Sequence, residues 1–572
     1  MVSRFAQVIL DFALRPIKRR GRRRLLRMMR GHRLLKASKK LGRIAGVKRA
    51  LTTERLGINT RELSSYILGE SVTKGELIVR QYLLIRAAGV NLNRALLYAS
   101  AKKDSLVVHF LPPEWRRAVE EHGFKVARVR TALMWQSFVG MMLAYGILSM
   151  VKVLAEGLRA ACSRLARNYG AYVYFHDLAS GNLPNPCRDG RSHDIVSWYI
   201  QWPGRIQKID TICHGVMGAG KKFVGFTPLA FMSSPIPALN HFGALSRFAL
   251  WSLGACIIAT SDFLRGRWWH SLMLNQATLA AKVRLLNSER LAREYLFHNS
   301  GWIYRPIWTF EAEKKGARVV FYFYSTNCED FKRTENHAPI SYGWQAMDWP
   351  VYLVWDENQA EFVRRAVGAK ANVIIAGPIW FHTGAVEMAE FTGRGVAVFD
   401  VTPHRFSSYR TLAPEWDYYV PQTCIPFLRD IQQISAKNGF VMLWKRKRKI
   451  GSFAHPWYRR FAVKITKAGN VVEVNPDISA VRLIERSSVV ISIPFTSTAL
   501  IARALGKPTC YYDPNSFVRR DDPAAHGIKI IRGPQELDEW LKIAALADPA
   551  QFEVRQQTGQ SYLRRNFRSG QC

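Results

Sequence analysis

The chain has 572 residues, 48% of them hydrophobic, and sets 83 Lys and Arg against 43 Asp and Glu, a formal net charge of +40. That much apolar material excludes global disorder, and the length allows roughly two to four domains. So basic a chain needs an acidic counterpart: a nucleic acid, an anionic membrane surface or a phosphorylated ligand. The eight cysteines, Cys162, Cys187, Cys213, Cys256, Cys328, Cys424, Cys510 and Cys572, include no CxxC pair. Neither a zinc site of that kind nor a dense disulfide framework is indicated.

Residues 1–50 hold 17 Lys or Arg and one acid, Asp11, and so carry +16 of the charge. Phe5, Val8, Ile9, Phe12 and Leu14 come first and the polybasic run follows, the reverse of a secretory signal. An apolar stretch ahead of a basic run suits an arm lying on anionic lipid; a solvated arm is the plainer alternative. No nucleic-acid-binding motif accompanies it, so nucleic acid is not favoured as a partner. Residues 51–100 read as helices, with a cap at Asn59, and 105–112 as a strand. Residues Thr131 to Val151 are free of charge and long enough to span a bilayer, but Gln136, Ser137, Gly140, Gly146 and Ser149 dilute them. We read a long buried helix that runs on to 168. Residues 171–178 suit a strand and 193–202 a helix. Residues 223–246 carry Pro228, Pro235 and Pro237, which predicts an apolar loop layer. A long helical region precedes strands at 316–327, 351–357 and 372–381.

In the last third, strands at 395–403, 441–447, 471–476, 489–494 and 508–514 alternate with helices at 424–440, 478–487 (opened by Asp477) and 498–506. That alternation predicts βαβ units and a parallel sheet. The domains read as a basic arm (1–50), a helical region (51–100), an α/β domain with helical insertions (101–390), a second α/β domain (391–550) and a tail (551–572).

Two motifs carry chemistry. In ISIPFTSTALIARALG, a strand ends at Pro494 and hydroxyls at Thr496, Ser497 and Thr498 lead into a helix. Amides at a helix start, joined by hydroxyls, suit a phosphate; a simple helix cap is the alternative. Upstream, a lysine-rich strand end with Lys445 runs on to His455-Pro456. A histidine there can partner a phosphate or protonate a leaving group, or it can be an ordinary loop residue.

Pro494-Phe495-Thr496-Ser497 resembles the signature of the polysaccharide biosynthesis PFTS motif proteins, and residues 175–184, 305–327, 351–363 and 376–381 are similar to it too. More widely, His455-Pro456 with Thr496-Ser497-Thr498 resembles the His-Pro and Ser/Thr motifs of bacterial sialyltransferases and capsular Kdo transferases. There a lysine often stands shortly before the His-Pro; here Lys449 is six residues before His455. The resemblance implies a GT-B-like α/β fold, two Rossmann-type doubly wound domains facing a cleft, with residues 101–390 on the acceptor side and 391–550 on the donor side. It implies a glycosyltransferase of surface polysaccharide assembly, cytoplasmic and peripheral to the inner membrane. The donor would be a nucleotide sugar, a CMP-activated nonulosonic or Kdo-like acid, and the acceptor a lipid-linked glycan. The nucleotide would meet Lys445, His455, Pro456, Thr496, Ser497 and Thr498.

For the base that activates the acceptor, Asp177 at a strand end is the first choice and Asp194 the second, with His455 as acid on the donor side. Asp210, His214, Glu311 and Glu313 are weaker candidates. No metal motif or further cofactor is implied. The alternative is a non-catalytic scaffold that holds polysaccharide or membrane.

Overall fold

The structure is a computed structural model, and it describes residues 38–53, 58, 60–101, 106–162, 169–184, 194–218, 222–224, 226–298, 304–326, 342–381, 388, 390–403, 418–446 and 454–546. Most of the basic arm (1–37), Asn59, Lys449 and the tail 551–572 lie outside the described residues.

Two sheets organise the chain. The first holds β1 (Tyr172–Phe175), β2 (Thr211–His214), β3 (Lys222–Val224), β4 (Thr227–Phe231), β5 (Glu294–His298), β6 (Arg318–Tyr322), β7 (Tyr352–Val354) and β8 (Val373–Ile375). Its order is β3-β4-β2-β1-β5-β6-β7-β8, and only β3 runs antiparallel to its neighbour. The second holds β9 (Arg394–Asp400), β10 (Phe440–Arg446), β11 (Val471–Val474), β12 (Val489–Ser492), β13 (Thr509–Asp513) and β14 (Ile530–Arg532). Its order is β11-β10-β9-β12-β13-β14, all parallel. Counted from β9, that is the 3-2-1-4-5-6 order of a doubly wound fold. Such a sheet opens a crevice where the winding reverses, at the carboxyl ends of its two central strands. The reversal lies between β9 and β12 here, and between β1 and β5 in the first sheet.

Helices cover both faces of each sheet, so the strands read as continuous apolar runs rather than alternating ones. Tyr172, Tyr174, Tyr295 and Phe297 face a helical layer made of α1 (Ser38–Thr53), α2 (Gly75–Ala87), α3 (Val90–Ala101), α4 (Pro113–Glu121), α5 (Arg128–Cys162) and three helices described below. The opposite residues, Val173, Phe175, Leu296 and Val320, join an apolar cluster that continues into the second domain through Val396, Val398 and Ile491. The remaining helices are α6 (Ile195–Gln201), α7 (Phe242–Leu264), α8 (Trp269–Leu285), α9 (Trp308–Lys314), α10 (Glu357–Val367), α11 (Pro421–Lys437), α12 (Pro456–Ile465), α13 (Ala480–Arg486), α14 (Thr498–Ala504) and α15 (Gly533–Leu546). Of these, α7, α8 and α9 complete the helical layer of the first domain. A polar bridge also crosses between domains: His526 Nδ1 lies 2.6 Å from Asp356 Oδ2, at the cap of α10.

Five expectations need correction. The basic segment does not stay apart from the body as far as residue 50, because α1 buries Ile44, Val47 and Leu51 against α3 and α4. Residues 51–100 are part of the first domain's helical layer rather than a region of their own. Residues 105–112 make one bridge, Val107 to Val126, before Pro113 opens α4. Residues 223–246 hold the β3–β4 hairpin and the start of α7 as well as loop, since two of the three prolines lie beyond β4. Helix α13 is capped by Ser479, whose hydroxyl accepts from Arg482 N, and not by Asp477.

The charge-free stretch 131–151 is helical, as part of α5, but it is not buried all round. Its inner residues, Trp135, Phe138, Met142, Gly146 and Met150, pack inward. Leu133, Met141, Leu148 and Val151 on the outer face stay exposed. Gly146 fixes the close approach to α8: a Cβ there would lie 2.6 Å from Leu274 Cβ.

Candidate functional site

The site in the second domain grows from the central strand β9. Its last residue, Asp400, is buried, and its Oδ2 accepts from Tyr458 Oη of α12. Oδ1 has no partner among the described residues. Burial raises this carboxyl to about 6, against the bond from Tyr458 and the nearby Trp444 and Arg446. A raised carboxyl favours the fold while protonated, so that stability is complete below the ordinary 3.8 and is lost as pH rises through 6. Thermal melts of wild type and Asp400→Asn should therefore diverge with pH. The wild type should lose about 2 kcal/mol relative to the variant between about pH 4 and pH 7. Parallel melting curves across that range would contradict it.

Just past Asp400, Pro403 O accepts from His455 N at 2.8 Å, which ties the His-Pro motif to the end of β9. His455 caps α12: its Nδ1 accepts from Trp457 N at 3.2 Å, and Pro456 takes the first helical position. An accepting Nδ1 puts the ring proton on Nε2. His455 is thus placed to offer Nε2–H as a donor.

On the other side of β9 the chain leaves β12 into Pro494–Thr498, and Ile493 N donates to Phe399 O at 2.9 Å. The loop is braced from both flanks. Tyr419 Oη donates to Pro494 O at 2.5 Å and accepts from Phe495 N at 3.0 Å, while Tyr511 Oη donates to Thr496 O at 2.9 Å. Two of the three predicted hydroxyls turn inward: Thr498 Oγ1 lies 2.9 Å from Ser492 Oγ and 3.1 Å from Thr496 Oγ1, which donates to Ile493 O. They hold the loop's shape. Half-buried Ser497, at the cap of α14, makes no capping bond with its side chain. Lys445 points elsewhere, its Nζ donating to Pro476 O at 2.9 Å, and burial lowers its pKa.

The first sheet carries its own cluster where its winding reverses. His176 and Asp177 follow β1, and His298 ends β5, the neighbouring strand. His176 Nδ1 lies 3.1 Å from Asp177 Oδ2, and its ring stacks on Phe297 at 4.8 Å. His298 Nε2 donates to Asp177 O at 3.2 Å. Asp177 has φ of 56°, a left-handed conformation uncommon outside glycine. The bond from His176 holds its carboxyl below the usual carboxylate range, and burial pushes the His298 imidazole down. An aspartate that fixes Nδ1–H of a histidine leaves Nε2 as the basic nitrogen.

Asp194 does not join this cluster. It is buried and caps α6, with Oδ1 accepting from Val196 N and Ser197 N and Oδ2 from Ser197 Oγ. Asp210 Oδ2 accepts from Ala171 N, Glu311 pairs with Arg284, and Glu313 pairs with Arg305. His214 Nδ1 accepts from Val216 N. Among the described residues no three His, Cys, Asp or Glu side chains converge as a metal site would require. Asp400, Tyr419, Tyr458, Tyr511 and His298 were not singled out from sequence. Only Asp400 left a signal, an acid closing the apolar run GVAVFD.

No curated protein matches this sequence. Among solved structures, one described as the glycotransferase of kitacinnamycin is 13% identical; the alignment covers 70% of this chain and 96% of that one. Its TM-score is 0.33, too low to carry an argument. The model of the polysaccharide biosynthesis PFTS motif proteins matches residues 251–541, from α7 through the whole second sheet, including the braced Pro494–Ser497 turn. This chain belongs to that family of polysaccharide biosynthesis PFTS motif proteins.

Proposed function

We propose that this chain is a nucleotide-sugar-dependent glycosyltransferase of surface polysaccharide assembly. One coincidence supports the reading most. The family's signature turn follows β12 at the reversal of a 3-2-1-4-5-6 sheet, where such sheets hold the phosphates of a nucleotide. The donor is a CMP-activated nonulosonic or Kdo-like acid, and its phosphate meets the Ser497 hydroxyl and the Nε2–H of His455. The acceptor is a lipid-linked glycan. His176, turned by Asp177, takes the acceptor's proton on Nε2 while the acceptor oxygen bonds to the anomeric carbon. The bond to the CMP phosphate breaks, and the leaving phosphate keeps the electron pair. The enzyme works at the cytoplasmic face of a membrane, with the basic residues 1–37 on anionic lipid.

Transfer assays with CMP-, UDP- and GDP-sugars test the donor. Turnover with a CMP-sugar is expected, and Ser497→Ala should weaken donor binding about tenfold to a hundredfold through one lost bond to a charged phosphate. Turnover with UDP- or GDP-sugars alone would reassign the nucleotide. No turnover, and no thermal stabilisation by millimolar nucleotide, would support a scaffold instead.

A further inference from the structure

Helices α5 and α7 leave a face that the transferase reading does not use. They pack antiparallel, since a Cβ on Gly140 would meet Phe263 and one on Gly157 would meet Leu245. Both rest on α8, which buries nearly its whole length. Their outer faces carry apolar residues at helical spacing. On α5, Met141, Leu148 and Val151 are exposed, Leu148 by 65%; on α7, Leu250, Leu253 and Ile257 are exposed, by 67%, 64% and 70%. From Leu133 to Leu158 the stripe on α5 is roughly 40 Å long at 1.5 Å per residue. Contiguous apolar surface on that scale marks a contact surface.

The charges indicate what covers it. Neither helix has a charged residue between Arg130 and Lys152 or between Arg247 and Asp262. Arginines gather where the stripes end: Arg128, Arg130 and Arg265 at one end, Arg159 and Arg247 at the other. Asp262 is buried against His270, Glu156 lies beside Lys152 and Glu120 pairs with Arg128, so the rim stays basic through Arg130, Arg159, Arg247 and Arg265. An apolar stripe with a cationic rim complements acyl chains beneath anionic headgroups.

We propose that the α5–α7 face lies in the plane of an anionic bilayer as a second membrane contact, provided by the folded body. This deepens the membrane part of the proposed function and does not depend on its donor or its chemistry. Both helices are long and apolar enough to cross a membrane. Crossing would strip their inner faces from α8. It would break the edge-to-face packing of Trp135 on Trp268 and the bond from Asn275 Nδ2 to Ser149 Oγ. In-plane binding keeps both.

The test uses the full-length chain and vesicles of equal parts phosphatidylcholine and phosphatidylglycerol, sedimented at low and at molar salt. Molar salt screens the basic charge of residues 1–37, and their apolar Phe5, Val8, Ile9, Phe12 and Leu14 are the same in every variant, so binding lost on changing Leu148 and Leu253 reports the apolar face. Wild type should stay bound in molar salt. Leu148→Ser/Leu253→Ser should bind about tenfold or more weakly there, because two leucines no longer enter the acyl region. Both side chains are exposed, so circular dichroism and melting should match wild type; Leu148→Glu/Leu253→Glu gives a stronger version of the same loss. Equal salt-resistant binding by both variants, or no wild-type binding in molar salt, would overturn the proposal while leaving low-salt binding through residues 1–37 intact. A wild-type dimer in light scattering that the double variant dissolves would overturn it too, by assigning the face to a second copy.

Discussion

His176→Asn and Asp177→Asn should each lower the rate of sugar transfer by about a hundredfold to ten-thousandfold, the range a positioned general base supplies. Nucleotide affinity should not change, because both residues stand on the first sheet and the proposed phosphate contacts on the second. Asp177 is exposed and His176 half-exposed, so melting temperatures should move little. The useful contrast is with Asp194→Ala. That side chain holds a buried cap, so its loss should appear as about 1 kcal/mol of stability and leave the per-molecule rate near wild type. Single-turnover assays on folded fractions separate the two. Full activity in Asp177→Asn would remove the histidine–aspartate pair from the mechanism.

The second large effect is at His455, where the observed cap and the proposed donor contact share one ring. His455→Ala should lose both: about 1 kcal/mol from the start of α12 and a further tenfold to hundredfold in donor binding. His455→Asn separates them. Asparagine caps a helix well but does not carry an N–H to the position of Nε2, so the variant should melt like wild type and still bind donor weakly. Calorimetric titration beside thermal melts reads both quantities. If His455→Asn binds donor as wild type does, the histidine is a cap and nothing more.

The second domain was legible because each of its elements is short, apolar and punctuated. Strands such as VVISIP and GVAVFD are buried on both faces, and Gly506 ends a helix where a left-handed residue is needed. Even there, sequence read His455-Pro456 as loop, since a histidine is not among the usual caps and the ten-residue α12 follows a polar stretch. The first domain was harder. β5 is five residues long and lies after two long helices, so its run EYLFH was absorbed into a helical region. His298 therefore went unnoticed, although β5 is the strand beside β1 that sets the reversal. The hydroxyl cluster shows a different limit. Spacing gives three neighbouring hydroxyls, but only packing shows that Thr496 and Thr498 spend theirs on each other and on Ser492. The outer face of α5 shows a third. A charge-free stretch at helical spacing is consistent with a buried helix, a span or a surface contact, and only its inward packing on α8 tells which residues remain outside.

The central claim is that the reversal of the second sheet binds the donor nucleotide. Hydrogen exchange of the full-length protein, with and without CMP, UDP and GDP at millimolar concentration, tests it most directly. One of the three, CMP on this account, should slow exchange in peptides spanning 493–500 and 454–460, on either side of β9, with little change at β1 and β5. Protection confined to the first sheet, or none with any of the three nucleotides, would contradict it.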